Sequence, residues 1–117
     1  MITFTIPGRL PGLNSIIASS RTNYHKANSE KRKAQSYVRL FLPKKRITKS
    51  CEIRMTCYEP SERRDVDNVI AGACKVILDE MVHCGILAND NRRWVKQIHS
   101  LVYTDKQNPR IEVEVIE

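Results

Sequence analysis

Between Cys51 and Gly85 the apolar residues change their spacing once, and that change limits the possible folds more than any other feature of the chain. Cys51, Ile53, Met55 and Cys57 alternate with Glu52, Arg54 and Thr56, the period of two expected of a strand with one buried face. Beyond Glu59 and Pro60, the residues Val66, Val69, Ile70, Ala73, Cys74, Ile77, Leu78, Met81 and Val82 recur at spacings of three and four. This predicts an amphipathic helix that stops near Gly85. Strand and helix are joined through Arg63-Arg64-Asp65-Val66-Asp67-Asn68.

The flanking segments supply partners. Ile2, Phe4 and Ile6 alternate with Thr3 and Thr5, a strand that ends at Pro7. Pro7-Gly8, Pro11-Gly12 and Asn14 then predict a loop, continued by an aperiodic polar stretch from Ser19 to Asn28. Arg21, Tyr24, His25 and Lys26 in that stretch face either substrate or solvent. A helix is expected to start at Ser29-Glu30 and to end at Pro43, with Lys31, Arg32, Lys33 and Arg39 outward, along a phosphate backbone or in water. Val95 to Thr104 and Pro109 to Glu117 read as strands, and Lys106-Gln107-Asn108 between them suggests a hairpin. The order β, α, β, α, β, β predicts an α+β fold, with two helices on one face of a mixed or antiparallel four-stranded sheet.

With 117 residues the chain is expected to be one domain, 1–117. Hydrophobic content of 41% and charged content of 28% exclude a disordered chain. No apolar run approaches a membrane span and no leader is visible, so a cytoplasmic protein is expected. The excess of 20 Lys and Arg over 13 Asp and Glu, a net charge of +7, favours polyanions and above all nucleic acid as partners. Cys51, Cys57, Cys74 and Cys84 contain no C-x-x-C and read as reduced core or near-core residues. His25, His83 and His99 form no ligand pair and read as structural or surface residues.

Asp65 and Asp67 lie two apart where an extended segment gives way to a helix. In extended chain alternate side chains point the same way, so the two carboxylates can converge on one hard cation. Magnesium is typically held by one or two carboxylates, water and substrate phosphate, and the helix N-terminus behind them favours anions. The competing reading is an N-cap, in which an Asp before a helix accepts backbone N–H groups. Asp90, in the turn Ala88-Asn89-Asp90-Asn91, is either a third carboxylate that swings toward the pair or an ordinary turn residue. Asp79 and Glu80 read as part of a solvated helix face.

With Gly85-Ile86-Leu87 and Asp90 following the helix, the chain resembles the RusA family of Holliday junction resolvases, whose pattern is R-R-D-x-D-N, helix, G-x-x-x-[DN]-D. The Pro-rich turn after the first strand, ending at Asn14, is similar to that family's L-P-x-P-P-S-x-N opening. The resemblance implies metal-binding, catalytic carboxylates at Asp65, Asp67 and Asp90, with Asn68 matching the Asn after the acidic pair. It implies Mg2+ or Mn2+, a homodimer, and symmetric nicking of a four-way DNA junction in recombination and repair. Ala71 stands where the family commonly carries a catalytic Lys, and Lys75, one turn further on, is the nearest substitute. Candidate DNA contacts are Arg63, Arg64, Asn68, Lys75, Arg92, Arg93 and Lys26. Two alternatives are a non-catalytic nucleic-acid-binding module and a nuclease for other branched DNA.

Overall fold

The computed structural model describes the backbone of every residue except Asn23, and the side chains of residues 1–17 and 29–117. The elements are β1 (Ile2–Pro7), α1 (Leu13–Thr22), α2 (Tyr24–Arg39), β2 (Cys51–Glu59), α3 (Val66–His83), β3 (Val95–Thr104) and β4 (Arg110–Ile116). The strands form one mixed sheet in the order β1-β4-β2-β3. The α+β class and the four strands are as the sequence predicts. Two expectations fail.

The first concerns the helices. Leu13–Thr22 is helical and α2 begins at Tyr24, so the described residues form three helices where two were expected, and the predicted loop is confined to the residues around Gly8 to Gly12. The second concerns β3 and β4, which are not a hairpin. β4 lies between β1 and β2, antiparallel to both, while β3 runs parallel to β2 on its other side. A strand followed by a helix and another strand returns the chain in the same direction, so β2-α3-β3 forms a parallel pair. β4 then enters the middle of the sheet.

The registers align the apolar rows. Ile2, Val115 and Ile53 lie abreast, as do Phe4, Val113 and Met55, and then Ile6, Ile111 and Cys57. All nine are buried, while their neighbours along β1, β2 and β4 are more accessible, so the sheet buries one face. Against it lie Val38 of α2 and Val69, Ala73, Val76, Ile77 and Met81 of α3, with Ile47, Ile86 and Leu87 filling the loops. At about 25 cal/mol per Å2 of apolar surface, each buried Val, Ile, Leu, Phe or Met here contributes roughly 1.5–3 kcal/mol, and Ala73 less.

The end of α3 is fixed by Gly85 at φ +76°, with Ile86 N–H donating to Met81 O (3.0 Å) and Gly85 N–H to Val82 O (3.1 Å). This left-handed cap turns the chain so that Ile86 and Leu87 enter the core. Glu80, expected on a solvated face, is instead buried and accepts from Arg39 Nε at 2.6 Å. Its neighbour Asp79 pairs with Lys31 (3.1 Å). Two of the four basic residues predicted to line α2 outwardly are therefore tied to α3. Cys84 is exposed, correcting its reading as a core or near-core residue, whereas Cys51 and Cys57 are buried, Cys74 is partly buried, and all four thiols are free. Burial above all, and then the neighbouring Cys74 and Glu59, push the Cys57 thiol up to about 12, which makes it a packing group and not a nucleophile.

Candidate functional site

The loop between β1 and α1 is fastened to the start of α3, and residues of the acidic motif make the fastening. Glu59, the last residue of β2, falls on the inward parity of Cys51, Ile53, Met55 and Cys57 and is 3% exposed. A carboxylate there requires charged partners. Arg64 supplies them in fork geometry, Nε to Oε1 at 2.8 Å and Nη2 to Oε2 at 2.9 Å, and Arg9 adds Nη2 to Oε1 at 2.9 Å. The remaining Arg64 nitrogen, Nη1, donates to Leu10 O at 3.0 Å. Burial alone would raise the Glu59 pKa; the hydrogen bonds and charges of Arg64 and Arg9 outweigh it and hold the group below the ordinary carboxylate value.

A second fastening lies one turn into α3. Asn14 N–H donates to Asn68 Oδ1 at 2.7 Å, so the exposed donor in the first turn of α1 is capped by a side chain 54 residues away. The backbones approach closely at Gly72, where a Cβ would overlap the carbonyl oxygen of Pro11 and sit 2.8 Å from Gly12 Cα. Gly72→Ala is therefore expected to destabilise the fold by about 2 kcal/mol, the cost of overpacking a closed contact. Chemical denaturation checks this, and a variant with wild-type stability would mean that the loop moves away without cost.

The acidic pair stands on this base. Asp65 occupies the N-cap position of α3 with extended backbone (φ −68°, ψ 152°), and its C=O accepts from Val69 N–H, yet its carboxylate makes no capping bond. Asp67 lies in the first turn, with Oδ1 accepting from Asn68 N–H at 2.9 Å. The pair thus straddles the helix boundary, where both residues were expected in extended chain. Both are exposed, and neither forms an ion pair among the described residues.

The other candidates fall as follows. Asp90 is exposed in a loop built by side-chain turns, Asn91 N–H to Asn89 Oδ1 and Arg93 N–H to Asn91 Oδ1, both at 3.1 Å. Among the described residues no three His, Cys, Asp or Glu side chains gather as a metal site, so Asp65, Asp67 and Asp90 do not form a closed cage in this structure. Asp65 and Asp67 each keep a carboxylate oxygen without a partner among the described residues, and a largely hydrated Mg2+ needs only one or two protein carboxylates, the rest of its ligands coming from water and phosphate. The fit extends to Asp65 and Asp67 and stops there.

Lys75 is half-exposed and pairs with Asp79 at 3.5 Å, one turn beyond it and away from the acidic pair. It stands eight residues after Asp67, or about 12 Å along a helix axis. Arg63, Arg92 and Arg93 are exposed and form no ion pair among the described residues. Arg64 and Asn68, candidates for DNA contact, are engaged inside the protein. Arg21, Tyr24, His25 and Lys26 lie outside the described side chains.

The residues that sequence reasoning overlooked here are Glu59 and Arg9. The available signal was a carboxylate on the buried parity of a strand. Among the described residues no helix is long and apolar enough to cross a membrane. Compared with known protein families and with curated proteins, the chain finds no match.

Proposed function

We propose that this chain is a RusA-like, metal-dependent endonuclease that resolves four-way DNA junctions by nicking two strands symmetrically as a homodimer. The observation that carries this reading is the unspent carboxylate of Asp65. At an N-cap an Asp is ordinarily used up on backbone N–H groups, and here it is held free beside Asp67 on a rigidly fastened base. Asp65 and Asp67 would hold Mg2+ or Mn2+, and Asp90 would join them only once its loop closes on substrate. Held there, such an ion would supply Lewis acidity toward water and toward the phosphate oxygens.

The chain's own residues do the rest. The positive end of α3 and Arg63, Arg92 and Arg93, which form no ion pair among the described residues, attract and align the phosphodiester, while a net charge of +7 draws in the polyanion. Arg64 and Asn68 act one step back, positioning the acidic pair through Glu59 and Asn14. A two-fold junction is cut symmetrically when each subunit of a two-fold protein presents one such site.

A second reading, a DNA-binding module without activity, draws on Ala71 at the family lysine position and on Lys75, which is tied to Asp79. Incubating the purified protein with synthetic four-way, flap and duplex DNA, with and without Mg2+, separates the two. Paired nicks in the four-way substrate that require the cation are expected. Tight binding with no nicking under Mg2+ or Mn2+ would leave the module, and preferential cutting of the flap would leave the nuclease but not the junction.

A further inference from the structure

We infer that a cleft between α2 and the C-terminal half of α3 is a binding site for a small phosphorylated anion. This goes beyond the nuclease reading, because the cleft uses none of the residues assigned there to metal or phosphodiester. Glu80, in its wall, stands thirteen residues after Asp67, or about 20 Å along a helix axis. The cleft encloses about 450 Å3, within the roughly 300–1,000 Å3 usual for small-ligand sites.

Its lining is polar throughout. α2 contributes Arg32, Gln35, Ser36 and Arg39, and α3 contributes Asp79, Glu80 and His83. Spacings of three, one and three put the four α2 residues on one helical face, beside the Ala34 and Val38 face that meets the core. The side chains of Arg32, Gln35, Ser36 and His83 find no hydrogen bond or ion pair among the described residues. Two helices that meet only for stability close such a gap with apolar side chains. Here the gap is left open and ringed with donors.

The charges favour an anion. Glu80 is 1% exposed, and Arg39 Nε donates to its Oε1 at 2.6 Å. That contact fixes the guanidinium, while the two Nη groups form no hydrogen bond to Glu80 and keep the planar geometry that suits phosphate. Asp79 is matched by Lys31 (3.1 Å) and Lys75 (3.5 Å). With Arg32, four cations thus stand against two carboxylates. Both helices end at this cleft, and open carbonyls at a helix end repel anions. Those of α3 accept from Cys84, Gly85 and Ile86 N–H, and those of α2 from Leu40, Phe41 and Leu42 N–H. Arg32 and Arg39 are two turns apart, about 10 Å along α2, so they bracket the cleft and suit a ligand with two phosphoryl groups.

The test is calorimetric titration of the metal-free full chain with pyrophosphate. One pyrophosphate should bind per chain, and Arg32→Ala should weaken binding by about 10-fold or more, the loss of one charge-assisted contact. Ser36→Ala should weaken it by a smaller factor. Arg32 and Ser36 are exposed and their side chains pair with nothing among the described residues, so both variants should melt as the wild type does. Asp67→Asn, at the acidic pair, and Lys44→Ala, at an exposed lysine outside the cleft, should bind as tightly as the wild type. No binding below about 10 mM overturns the inference. So does equal weakening by Lys44→Ala, which would assign the binding to diffuse surface charge, or loss in Asp67→Asn, which would move it to the acidic pair. A short duplex whose binding is weakened by Arg32→Ala while pyrophosphate binding is not would give that arginine to a DNA backbone and overturn it too. The pyrophosphate titration contains neither DNA nor metal, so its outcome does not depend on whether the chain cuts DNA.

Discussion

Glu59→Ala is expected to cost about 3–5 kcal/mol of folding stability, because it strips a buried carboxylate from two arginines that keep their charge. In a domain of this size that lowers the melting temperature by about 10–20 °C. Glu59→Gln keeps the shape and should cost less. Its pH dependence is the sharper test. Glu59 titrates below its ordinary value of 4.5, despite burial, because Arg64 and Arg9 hydrogen-bond its charged form. A depressed folded-state pKa means that the stabilisation is complete above that ordinary value and disappears as pH falls from there through the folded value. The stability gap between the wild type and Glu59→Gln should thus be flat at neutral pH and shrink below about 4.5. A gap that persists unchanged into strong acid would show that the clamp does not depend on the ionised carboxylate.

The clamp also shows what a linear reading of such a chain can reach. β1, β2 and the helix after Asp65 were legible because one face of each is buried by the protein's own core, which stamps a period of two or near 3.6 on the sequence. β4 was legible as a strand but not as a central one, since alternation reports a buried face and not which strands lie on either side. α1 left no mark of that kind. Its entry runs through Pro11 and Gly12, which signal a turn, and its first turn is capped by Asn68 from a distant part of the chain. Contacts of this long-range kind explain why Asn68 and Arg64 looked like ligand-binding residues. Polar side chains beside an acidic pair have two physical uses, to touch the ligand or to hold the pair in place, and only the partners at Glu59, Leu10 and Asn14 distinguish them.

Asp67→Asn should reduce junction cleavage by at least about 100-fold, the upper end of what losing a supporting partner of a metal ligand costs. Binding should hold or tighten, since one negative charge leaves a surface that meets a polyanion and no basic contact goes with it. Asp65→Asn should behave alike, and its stability should change little, because the Asp65 carboxylate caps nothing. That last point separates the two readings of this residue: a true N-cap would lose about 1 kcal/mol on truncation to alanine, and a free ligand would not. Asp90→Asn then asks whether the loop carboxylate joins the pair on substrate. A loss as deep as that of Asp67→Asn would show that the loop closes, whereas wild-type cutting would limit the site to two carboxylates. If Asp67→Asn itself cuts at the wild-type rate in Mg2+, the acidic pair is not the catalytic centre, and the fastened base at Glu59 supports a basic binding surface instead.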